Sequence, residues 1–339
     1  MKFLLIQLYQ TGDVALTTHI PRELKKYYPD AEIDFLTFKA NRPVVENNPN
    51  IKSILTTERK GGIREMARII KEVRGNRYDA ILDFHNNPRT AYITFLSGAK
   101  YKVCYGNSPR KFFYNTPVKV YDGCPGVIKL SLTAPFIKNF DPSKLNAKPE
   151  VFPSASASAS AEEILKSFGI SHSDFLVTMS PTHKRDTRRW KFEHFMDTAK
   201  YLVKEHGAKV LITYGPGEKE YITEQITEMP ENVFLMPQTN LSEFIAVIGK
   251  AKLHIGNDSA PHHIATGQNV PTFIVIGSTS PHWVFPSPEH TYANAGLECQ
   301  PCLKSTCRIS PEIPCMSQFG FKDIKEKLNT FIKKQKSRS

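Results

Sequence analysis

The chain has 339 residues, of which 40% are hydrophobic and 23% charged, so it is long enough for two soluble domains that each bury a core. No apolar run approaches the ~18–20 residues of a membrane-spanning helix, and the short apolar run at 1–6 has no cleavage site, which argues against a secreted or integral membrane protein. We therefore expect a cytoplasmic protein. The net charge of +12 favours an anionic partner. Phosphorylated small molecules, nucleic acids and membrane surfaces all qualify.

The first half of the chain alternates predicted strands with predicted helices. The hydrophobic pattern predicts a helix over 14–28 that bends at Pro21, a helix over 63–73, and a further helix that starts at Pro88. Residues 107–116 are basic and aromatic, and they receive no assignment. Strands are predicted at 3–8, 33–38, 51–55, 78–84 and 102–105.

A run of alternating Ser and Ala covers residues 154–161. It follows Pro149 and Pro153 and offers no large side chain for packing. We therefore predict a linker at 154–161 between an N-terminal domain of residues 1–153 and a C-terminal domain of residues 162–339.

The second half repeats the alternation of strands and helices. Two successive series of this kind predict an α/β protein with two Rossmann-like, doubly wound parallel sheets. The predicted strands are 175–180, 209–214, 233–236, 252–255 and 271–276. The predicted helices are 162–168, 192–206, 218–228, 241–249, 260–265 and 323–334.

The segment 254–281 has the order of parts that an anion site needs. A strand is followed by the turn Gly256-Asn257-Asp258-Ser259 and by a helix that begins at Ala260. Free N–H groups at such a helix start attract a phosphate. The alternative is an ordinary helix in which Asp258 or Ser259 caps the backbone N–H groups.

The motif Gly12-Asp13 follows the first predicted strand directly. Ligands of open parallel sheets bind at the carboxyl ends of strands, so Asp13 is a candidate general base. The alternative is that Asp13 caps the following helix. The single glycine does not make the G-x-G-x-x-G fingerprint, which argues against a dehydrogenase.

The loop 181–190 follows another strand and holds four cations within ten residues. Its position at the end of a buried strand favours binding of a diphosphate over a solvated run of charge. A Gly-rich turn at 215–217 then leads to Glu218. This carboxylate is a candidate for accepting bonds from ribose hydroxyls, and the alternative is a helix-start carboxylate without a ligand.

Four of the six cysteines are clustered near the C-terminus with the spacing C-x2-C-x4-C-x7-C. Four thiolates can bind zinc, although only one C-x2-C pair is present. The alternative is a set of thiols without a ligand, since disulfides are disfavoured in the cytoplasm. The cluster comprises Cys299, Cys302, Cys307 and Cys315.

Several of these segments together resemble glycosyltransferase family 9, the bacterial heptosyltransferases of lipopolysaccharide core assembly. The first matching segment is 5–29, with G-D-V-A-L-T-T-H-I-P-R-E-L-K-K-Y-Y-P. It is followed by D-A-I-L-D-F-H at 79–85, R-R-W at 188–190, G-N-D-S-A-P-H-H-I-A at 256–265 and G-S-T-S-P at 277–281. The C-x-P-C at 299–302 and the Cys315-Met316 pair also resemble the C-terminal pattern of the family. The family commonly has Lys at the position of Arg188 and Pro at the position of Lys191.

The resemblance implies a GT-B fold, in which two Rossmann-like domains face an interdomain cleft. It implies transfer of a heptose or related sugar from a nucleotide sugar, with ADP-heptose as the expected donor, to an acidic lipopolysaccharide core or lipid A-linked acceptor, with inversion at the anomeric carbon. Asp13 is then the base. No cofactor or metal is expected, because cationic side chains stabilise the leaving group. The residues expected to bind the donor are Gly12, Thr182, His183, Lys184, Arg188, Glu218, Asp258, Ser259, Ala260 and His263. Those expected to contact the acceptor are Arg89, Arg110 and Lys111.

Two alternatives stay open at this point. One is a nucleotide-sugar epimerase of the same architecture, and the other is a non-catalytic basic protein that binds nucleic acid or another anion. No nucleic-acid-binding motif supports the latter, so we expect no nucleic-acid partner. Residues 322–339 hold seven basic against two acidic residues, which suggests peripheral contact with the inner face of the cytoplasmic membrane. We expect a monomer.

Overall fold

A computed structural model describes residues 1–338, which separate into a first unit, Met1–Phe152, and a second unit that starts at Pro153. Each unit is an α/β layer structure built on a parallel sheet of six strands. Within residues 1–338, no helix is both long enough and apolar enough to cross a membrane.

The sheet of the first unit has the strand order β3-β2-β1-β4-β5-β6. The central strand β1 is buried along nearly all of its length, as expected of an apolar strand covered on both faces by helices. Its neighbours are β2 and β4, both parallel to it. The strands are β1 (Lys2–Gln7), β2 (Glu32–Phe38), β3 (Ser53–Thr57), β4 (Ala80–Asp83), β5 (Tyr101–Tyr105) and β6 (Thr116–Val118).

Five α-helices belong to the first unit. Asn87 caps α4 by accepting a hydrogen bond from the Thr90 N–H, so Pro88 stands at the first helical position as predicted. Apolar residues of α3, among them Ile69 and Val73, pack against β1 and β2. The helices are α1 (Thr11–Ala15), α2 (Ile20–Tyr27), α3 (Ile63–Gly75), α4 (Pro88–Leu96) and α5 (Pro125–Leu130).

The predicted single helix over 14–28 is wrong, because the chain forms two helices there. Helix α1 ends at Ala15, and α2 begins at Ile20 with Pro21 in its first turn. Proline has no N–H to donate to the preceding turn, so Pro21 suits a helix start and interrupts a continuous helix.

The second unit has the strand order β12-β11-β10-β7-β8-β9. Counted from β7, this is the same Rossmann order as in the first unit. Edge strands β6 and β12 were not predicted, since both are short and β6 contains Pro117, which is tolerated at an edge. The strands are β7 (Phe175–Ser180), β8 (Ala208–Ile212), β9 (Val233–Leu235), β10 (Leu253–Asn257), β11 (Thr272–Val275) and β12 (His290–Ala293).

Seven α-helices lie in the described part of the second unit. Helix α7 has the predicted bounds and ends at Gly207, which adopts a left-handed conformation with φ of 62°. Helix α12 packs its apolar residues, including Ile324 and Leu328, into the core that also holds α7. The helices are α6 (Ala155–Ser167), α7 (Phe192–His206), α8 (Lys219–Gln225), α9 (Leu241–Gly249), α10 (Ala260–Gly267), α11 (Pro314–Ser317) and α12 (Phe321–Lys336).

The predicted linker at 154–161 is wrong as a description of local structure. These residues form the start of α6, whose N-cap Ser154 accepts a hydrogen bond from the Ala157 N–H at 3.0 Å. Ala157 and Ala161 are buried, and α6 packs against α9. Alanine has the highest helix propensity, and small side chains allow two helices to approach closely, so the feature that suggested a linker suits a packed helix. The two doubly wound parallel sheets nevertheless confirm the predicted GT-B fold class.

Candidate active site

Each sheet has one place where the strand order reverses, and the predicted site motifs lie at these two places. In the first unit the reversal lies between β1 and β4, and in the second between β7 and β10. The crevice at such a reversal is where open α/β sheets bind ligands. Gly12 and Asp13 follow β1, the loop 181–190 follows β7, and Asp258 and Ser259 follow β10.

Asp13 lies in the first turn of the short helix α1 and is half-buried. Gln10 occupies the N-cap, so Asp13 is not the helix cap that the sequence allowed. Its backbone carbonyl accepts a hydrogen bond from the Thr17 hydroxyl at 2.8 Å. The turn before it is held by Asn41, which accepts a bond from Thr11 Oγ1 and donates to the Tyr9 carbonyl. The carboxylate of Asp13 is therefore presented on a braced turn at the end of β1.

The turn after β4 is organised by the buried carboxylate of Asp83. One oxygen accepts hydrogen bonds from the backbone N–H groups of His85 and Asn86, and the other accepts the Tyr114 hydroxyl at 2.6 Å. Burial raises the pKa of Asp83, and these hydrogen bonds oppose the rise. Asp83 therefore fixes the position of His85 at the reversal point next to β1.

Two basic side chains at this reversal were not singled out from the sequence. The ring of His85 lies 4.8 Å from the ring of Tyr9, and burial lowers the pKa of His85 to about 4. Lys129, on α5, is buried and lies 5.9 Å from the centre of the Phe84 ring. Burial lowers the pKa of Lys129, whereas the charge of Asp13 raises it. A lysine among apolar residues gives no sequence signal of burial, so only the fold could reveal it.

The predicted acceptor contacts differ in how far their side chains are already engaged. The Arg89 guanidinium donates to the Thr57 hydroxyl at 2.6 Å and the Glu58 carbonyl at 2.8 Å, so it braces the loop after β3. Arg110 is half-buried and donates to the Asn86 carbonyl at 3.4 Å. Lys111 is exposed. The structure thus places Arg110 beside the turn after β4.

In the second unit, Asn257 holds the loop 181–190 in place. This side chain is fully buried at the end of β10. Its Oδ1 accepts the backbone N–H of Trp190 at 2.9 Å, and its Nδ2 donates to the Pro181 carbonyl at 3.0 Å. One amide therefore joins both ends of the cationic loop to the neighbouring strand.

The four cations of this loop are not equivalent. Arg189 forms an ion pair with Asp186 and lies 4.7 Å from the centre of the Tyr221 ring. Lys184 is exposed, and Arg188 is half-buried. Burial lowers the pKa of His183, and the charge of Arg188 adds to this. Thr182 is buried at the start of the loop.

Asp258 is buried between two histidines. Its Oδ1 lies 3.9 Å from His262 Nδ1 and 3.9 Å from His263 Nε2. Burial alone would raise the pKa of Asp258, but the interactions with His262, His263 and Thr279 hold it below its usual value. In the part of the chain that the structure describes, these three residues form the one group whose three potential metal-ligand atoms lie within 4.8 Å of each other.

The start of helix α10 lacks a side-chain cap. Ser259 occupies the N-cap, but its hydroxyl donates to the Asn257 carbonyl at 3.3 Å and accepts no bond from the helix. The alternative in which Ser259 caps the helix is therefore wrong. The N–H groups that follow, beginning at Ala260, are not satisfied by that hydroxyl, as an anion site requires.

Gly277, after β11, allows a close approach to the cationic loop. A Cβ at this position would lie 2.2 Å from the Thr187 carbonyl oxygen and 2.4 Å from the Met316 sulfur. The neighbouring Ser278 N–H donates to the same Thr187 carbonyl at 2.9 Å. Only glycine permits this contact, so the turn after β11 fixes the middle of the loop.

Glu218 lies just before α8, which begins at Lys219 and not at Glu218 as predicted. Its carboxylate accepts the Gly215 N–H at 2.8 Å and thereby closes the Gly-rich turn. The side chain is half-buried. This hydrogen bond gives Glu218 a structural role that needs no ligand. The contact with ribose hydroxyls stays a prediction.

The four clustered cysteines are free thiols that differ in exposure. Cys299 is exposed, Cys302 and Cys307 are half-buried, and Cys315 is buried. Burial and the nearby charges of the other three raise the pKa of Cys315 to about 11. Among the described residues no three of these sulfurs lie within 4.8 Å of one another. The zinc site stays a prediction, which a measurement of metal content in the purified protein would test.

The chain is similar to known proteins in sequence and in fold. Residues 66–312 match the family model described as glycosyltransferase family 9 (heptosyltransferase). The lipopolysaccharide heptosyltransferase 3 of Escherichia coli is 28% identical over 287 residues, which are 79% of this chain and 81% of the relative. Among solved structures, a family 9 glycosyl transferase from Veillonella parvula has a TM-score of 0.84 at 19% identity, with 98% of this chain and 97% of that chain covered. The E. coli ADP-heptose lps heptosyltransferase II has a TM-score of 0.78 at 20% identity, with 99% and 100% covered. Since the family model matches more than half of the sequence, the chain belongs to glycosyltransferase family 9 (heptosyltransferase), and it is a glycosyltransferase.

Proposed function

We propose that this enzyme transfers a heptose from ADP-heptose to a lipopolysaccharide core or lipid A-linked acceptor, with inversion at the anomeric carbon. The observation that carries the proposal is the complementary chemistry of the two reversal points. The first presents a carboxylate, Asp13, and the second presents a cationic loop beside an uncapped helix start. The names of the relatives supply the sugar, the nucleotide and the lipopolysaccharide.

The second unit would bind the donor. Arg188, Lys184 and the N–H groups at Ser259 and Ala260 provide positive charge and hydrogen-bond donors for a diphosphate. Thr182, His183, Asp258 and His263 line the same reversal point, and Glu218 would accept bonds from the ribose hydroxyls. Gly12, in the first unit, would let the backbone approach the donor closely. Asn257 and the turn after β11 hold the backbone of the cationic loop before any ligand binds, so little reorganisation of the loop is needed when the leaving group gains charge.

In the first unit, Asp13 would act as the general base. The acceptor hydroxyl oxygen forms a bond to the anomeric carbon while its proton moves to the Asp13 carboxylate. The bond from that carbon to the diphosphate oxygen breaks on the opposite face, and ADP leaves with the bonding electron pair. A single displacement of this kind inverts the anomeric configuration. Catalysis would require no cofactor.

Basic residues of the first unit would bind the acidic acceptor. Arg110 and Lys111 lie on the segment after β5, and Arg89 lies on α4. The net charge of +12 suits a phosphorylated glycolipid and the anionic surface in which it is embedded.

An exposed group of aromatic side chains supports contact with the membrane. The ring of Phe113 lies 5.1 Å from Tyr92, 5.7 Å from Phe95 and 4.5 Å from Phe112, measured between ring centres. Phe112 is 73% exposed and Phe95 50% exposed, and the Lys102 ammonium lies 5.9 Å from the centre of the Phe95 ring. We call these four rings the aromatic surface. Exposed aromatic rings beside cations suit the interface of an anionic bilayer, so we propose peripheral contact with the inner face of the cytoplasmic membrane. A cytoplasmic monomer stays our expectation.

The C-terminal helix α12 adds a second basic surface. Its apolar residues are packed into the second unit, while its last turn carries Lys333, Lys334 and Lys336. Lys336 already contacts the Phe175 ring at 4.4 Å. The helix is thus a folded part of the unit, and its other cations could add electrostatic attraction to the membrane.

A transfer assay tests the proposed function. Purified enzyme would be incubated with ADP-, UDP- and GDP-sugars and with lipopolysaccharide from a strain that lacks this protein. We expect ADP-heptose alone to support transfer, with an inverted glycosidic linkage by NMR. Transfer from another nucleotide sugar, or retention of configuration, would contradict the proposal.

A further inference from the structure

Lys129 is a largely buried lysine that has no opposite charge at ion-pair distance among the described residues. Its exposed fraction is 6%, although lysines normally extend their ammonium to the surface. Burying an ammonium is unfavourable unless it is paired or hydrogen-bonded. Among residues 1–338 no ion pair within 4.0 Å and no hydrogen bond involves its ammonium, and Nζ is not one of the fully buried atoms that lack a partner, so the nitrogen keeps some contact with solvent. The contact with the Phe84 ring, at 5.9 Å, is at the outer limit of a cation–π interaction.

The charged and titratable neighbours of Lys129 show where this ammonium lies. Asp13 is its opposite charge, and it raises the pKa of Lys129 against the effect of burial. Lys129 in turn adds to the burial that lowers the pKa of His85 to about 4 and of His19 to about 3. Both histidines are therefore neutral near pH 7 and add no positive charge. Lys129 is the buried cation of the reversal point that carries Asp13.

The elements around Lys129 give the same location independently of any titration. Asp13 follows β1, and Phe84 and His85 follow β4, which is the parallel neighbour of β1. Lys129 comes from α5, and its ammonium reaches the Phe84 ring. The ammonium thus lies at the carboxyl ends of the two central strands, which is the ligand-binding edge of this sheet.

We propose that Lys129 binds an anionic substituent of the acceptor sugar, a carboxylate or a phosphate, close to the hydroxyl that Asp13 deprotonates. This inference rests on the proposed function of the first unit as the acceptor-binding unit. The three donors of the ammonium would then be used only when the correct acceptor is bound. A neutral sugar would leave the buried charge without a partner, so Lys129 determines specificity for an acidic acceptor.

Substitution by Met and by Arg separates the charge of Lys129 from its volume. Lys129→Met removes a buried charge in favour of an apolar chain of similar length, so we expect the variant to fold. Lys129→Arg keeps the charge. Melting temperature, and ADP affinity as a readout of the second unit, would verify that both variants are intact.

The acceptor would be lipopolysaccharide from a strain lacking this protein, in three preparations. One is untreated, one has its carboxylates converted to methylamides, and one is dephosphorylated with hydrogen fluoride. Binding without donor would be measured by calorimetry, and kcat and KM would be measured with donor. Chemical removal of the anion that Lys129 binds should weaken binding by the wild type about 100-fold, as should Lys129→Met on the untreated acceptor. On the preparation that lacks that anion, Lys129→Met should have no further effect, and Lys129→Arg should restore most of the binding to the untreated acceptor. The preparation that shows this pattern identifies the group as a carboxylate or a phosphate.

The inference would be overturned if Lys129→Met weakened binding equally for all three preparations, or for none. It would also be overturned if the variant changed only kcat and its pH profile, because Lys129 would then act on Asp13 and not on the acceptor. Binding that depends on Lys129, without any heptose transfer by the wild type, would contradict the proposed transfer and would leave standing only that Lys129 binds the anion.

Discussion

Replacing Asn257 with Ala tests how the second unit builds its site. The side chain is fully buried and satisfies the Trp190 N–H and the Pro181 carbonyl, both at the ends of the cationic loop. The variant leaves these two backbone groups without a partner. Each buried unsatisfied group costs about 1–3 kcal/mol, so the free energy of unfolding of the second unit should fall by about 2–6 kcal/mol. Loss of the tether should also weaken ADP binding by about tenfold or more.

The matched control is Asn240→Ala, the same substitution in the same unit. Asn240 caps α9 by accepting the Glu243 N–H at 3.0 Å. Loss of a cap costs about 1 kcal/mol. Among the described residues the hydrogen bonds of Asn240 are made with residues of α9 and not with the loop 181–190, so ADP affinity should not change. Both tryptophans of the chain, Trp190 and Trp283, belong to the second unit. Tryptophan fluorescence, excited selectively during urea unfolding, therefore reports on the second unit. The structural role given to Asn257 is refuted if Asn257→Ala lowers the free energy of unfolding no more than Asn240→Ala does and if the variant binds ADP like the wild type.

Four further predictions concern catalysis, donor binding, stability and membrane contact. Asp13→Asn should keep ADP affinity while kcat falls about 10³-fold or more, because the amide cannot take the proton; a variant with a tenth of wild-type turnover would exclude Asp13 as the base. Arg188→Ala should weaken ADP binding about tenfold or more by calorimetry, since a charged donor to the diphosphate is lost; an unchanged Kd would refute its assigned position. The buried His19 has a pKa of about 3 in the folded state, against 6.5 in the unfolded state. At a pH between these two values, His19 is protonated only in the unfolded chain. The free energy of unfolding therefore falls as the pH drops below about 6.5, by up to about 1.4 kcal/mol per pH unit. His19→Gln should reduce this pH dependence, measured by urea unfolding followed by circular dichroism. Replacing Phe95 and Phe112 together with Ser should reduce co-sedimentation with phosphatidylglycerol vesicles, and equal binding by the variant would exclude the aromatic surface as the contact.

Two control variants sharpen these tests. Arg189→Ala removes a cation of the same loop whose guanidinium already pairs with Asp186, so it should affect ADP affinity less than Arg188→Ala. Ile63→Ser removes an apolar side chain that is 89% exposed and lies outside the aromatic surface, so it should not change vesicle binding. If Arg189→Ala weakened ADP binding more than Arg188→Ala, the donor-binding role of Arg188 would be contradicted. If Ile63→Ser reduced vesicle binding more than the replacement of Phe95 and Phe112, the role of the aromatic surface would be contradicted.

Local sequence signals determined much of the fold. The apolar run at 3–8 predicted β1, and the periodicity from 192 to 206 predicted the bounds of α7. Pro88 predicted the start of α4. These signals depend on neighbouring residues alone, so no tertiary information is needed. The Ser/Ala run at 154–161 was ambiguous, because small residues suit a linker as well as a packed helix, and only contact with α9 decided for the helix.

The site shows the same division between local and long-range information. The sequence by itself placed Gly12-Asp13, the cationic loop and the Asp258-Ser259 turn at the ends of strands, because a polar motif after a buried run is a local pattern. The tertiary structure decided which strand ends are neighbours, since strand order depends on pairing between distant segments. It also decided that Asn257 tethers a loop that lies 67 residues away in sequence, as measured to Trp190. The role of Lys129 could be inferred only from the fold, because the burial of a lysine is set by the elements packed around it and not by its own neighbours in the chain.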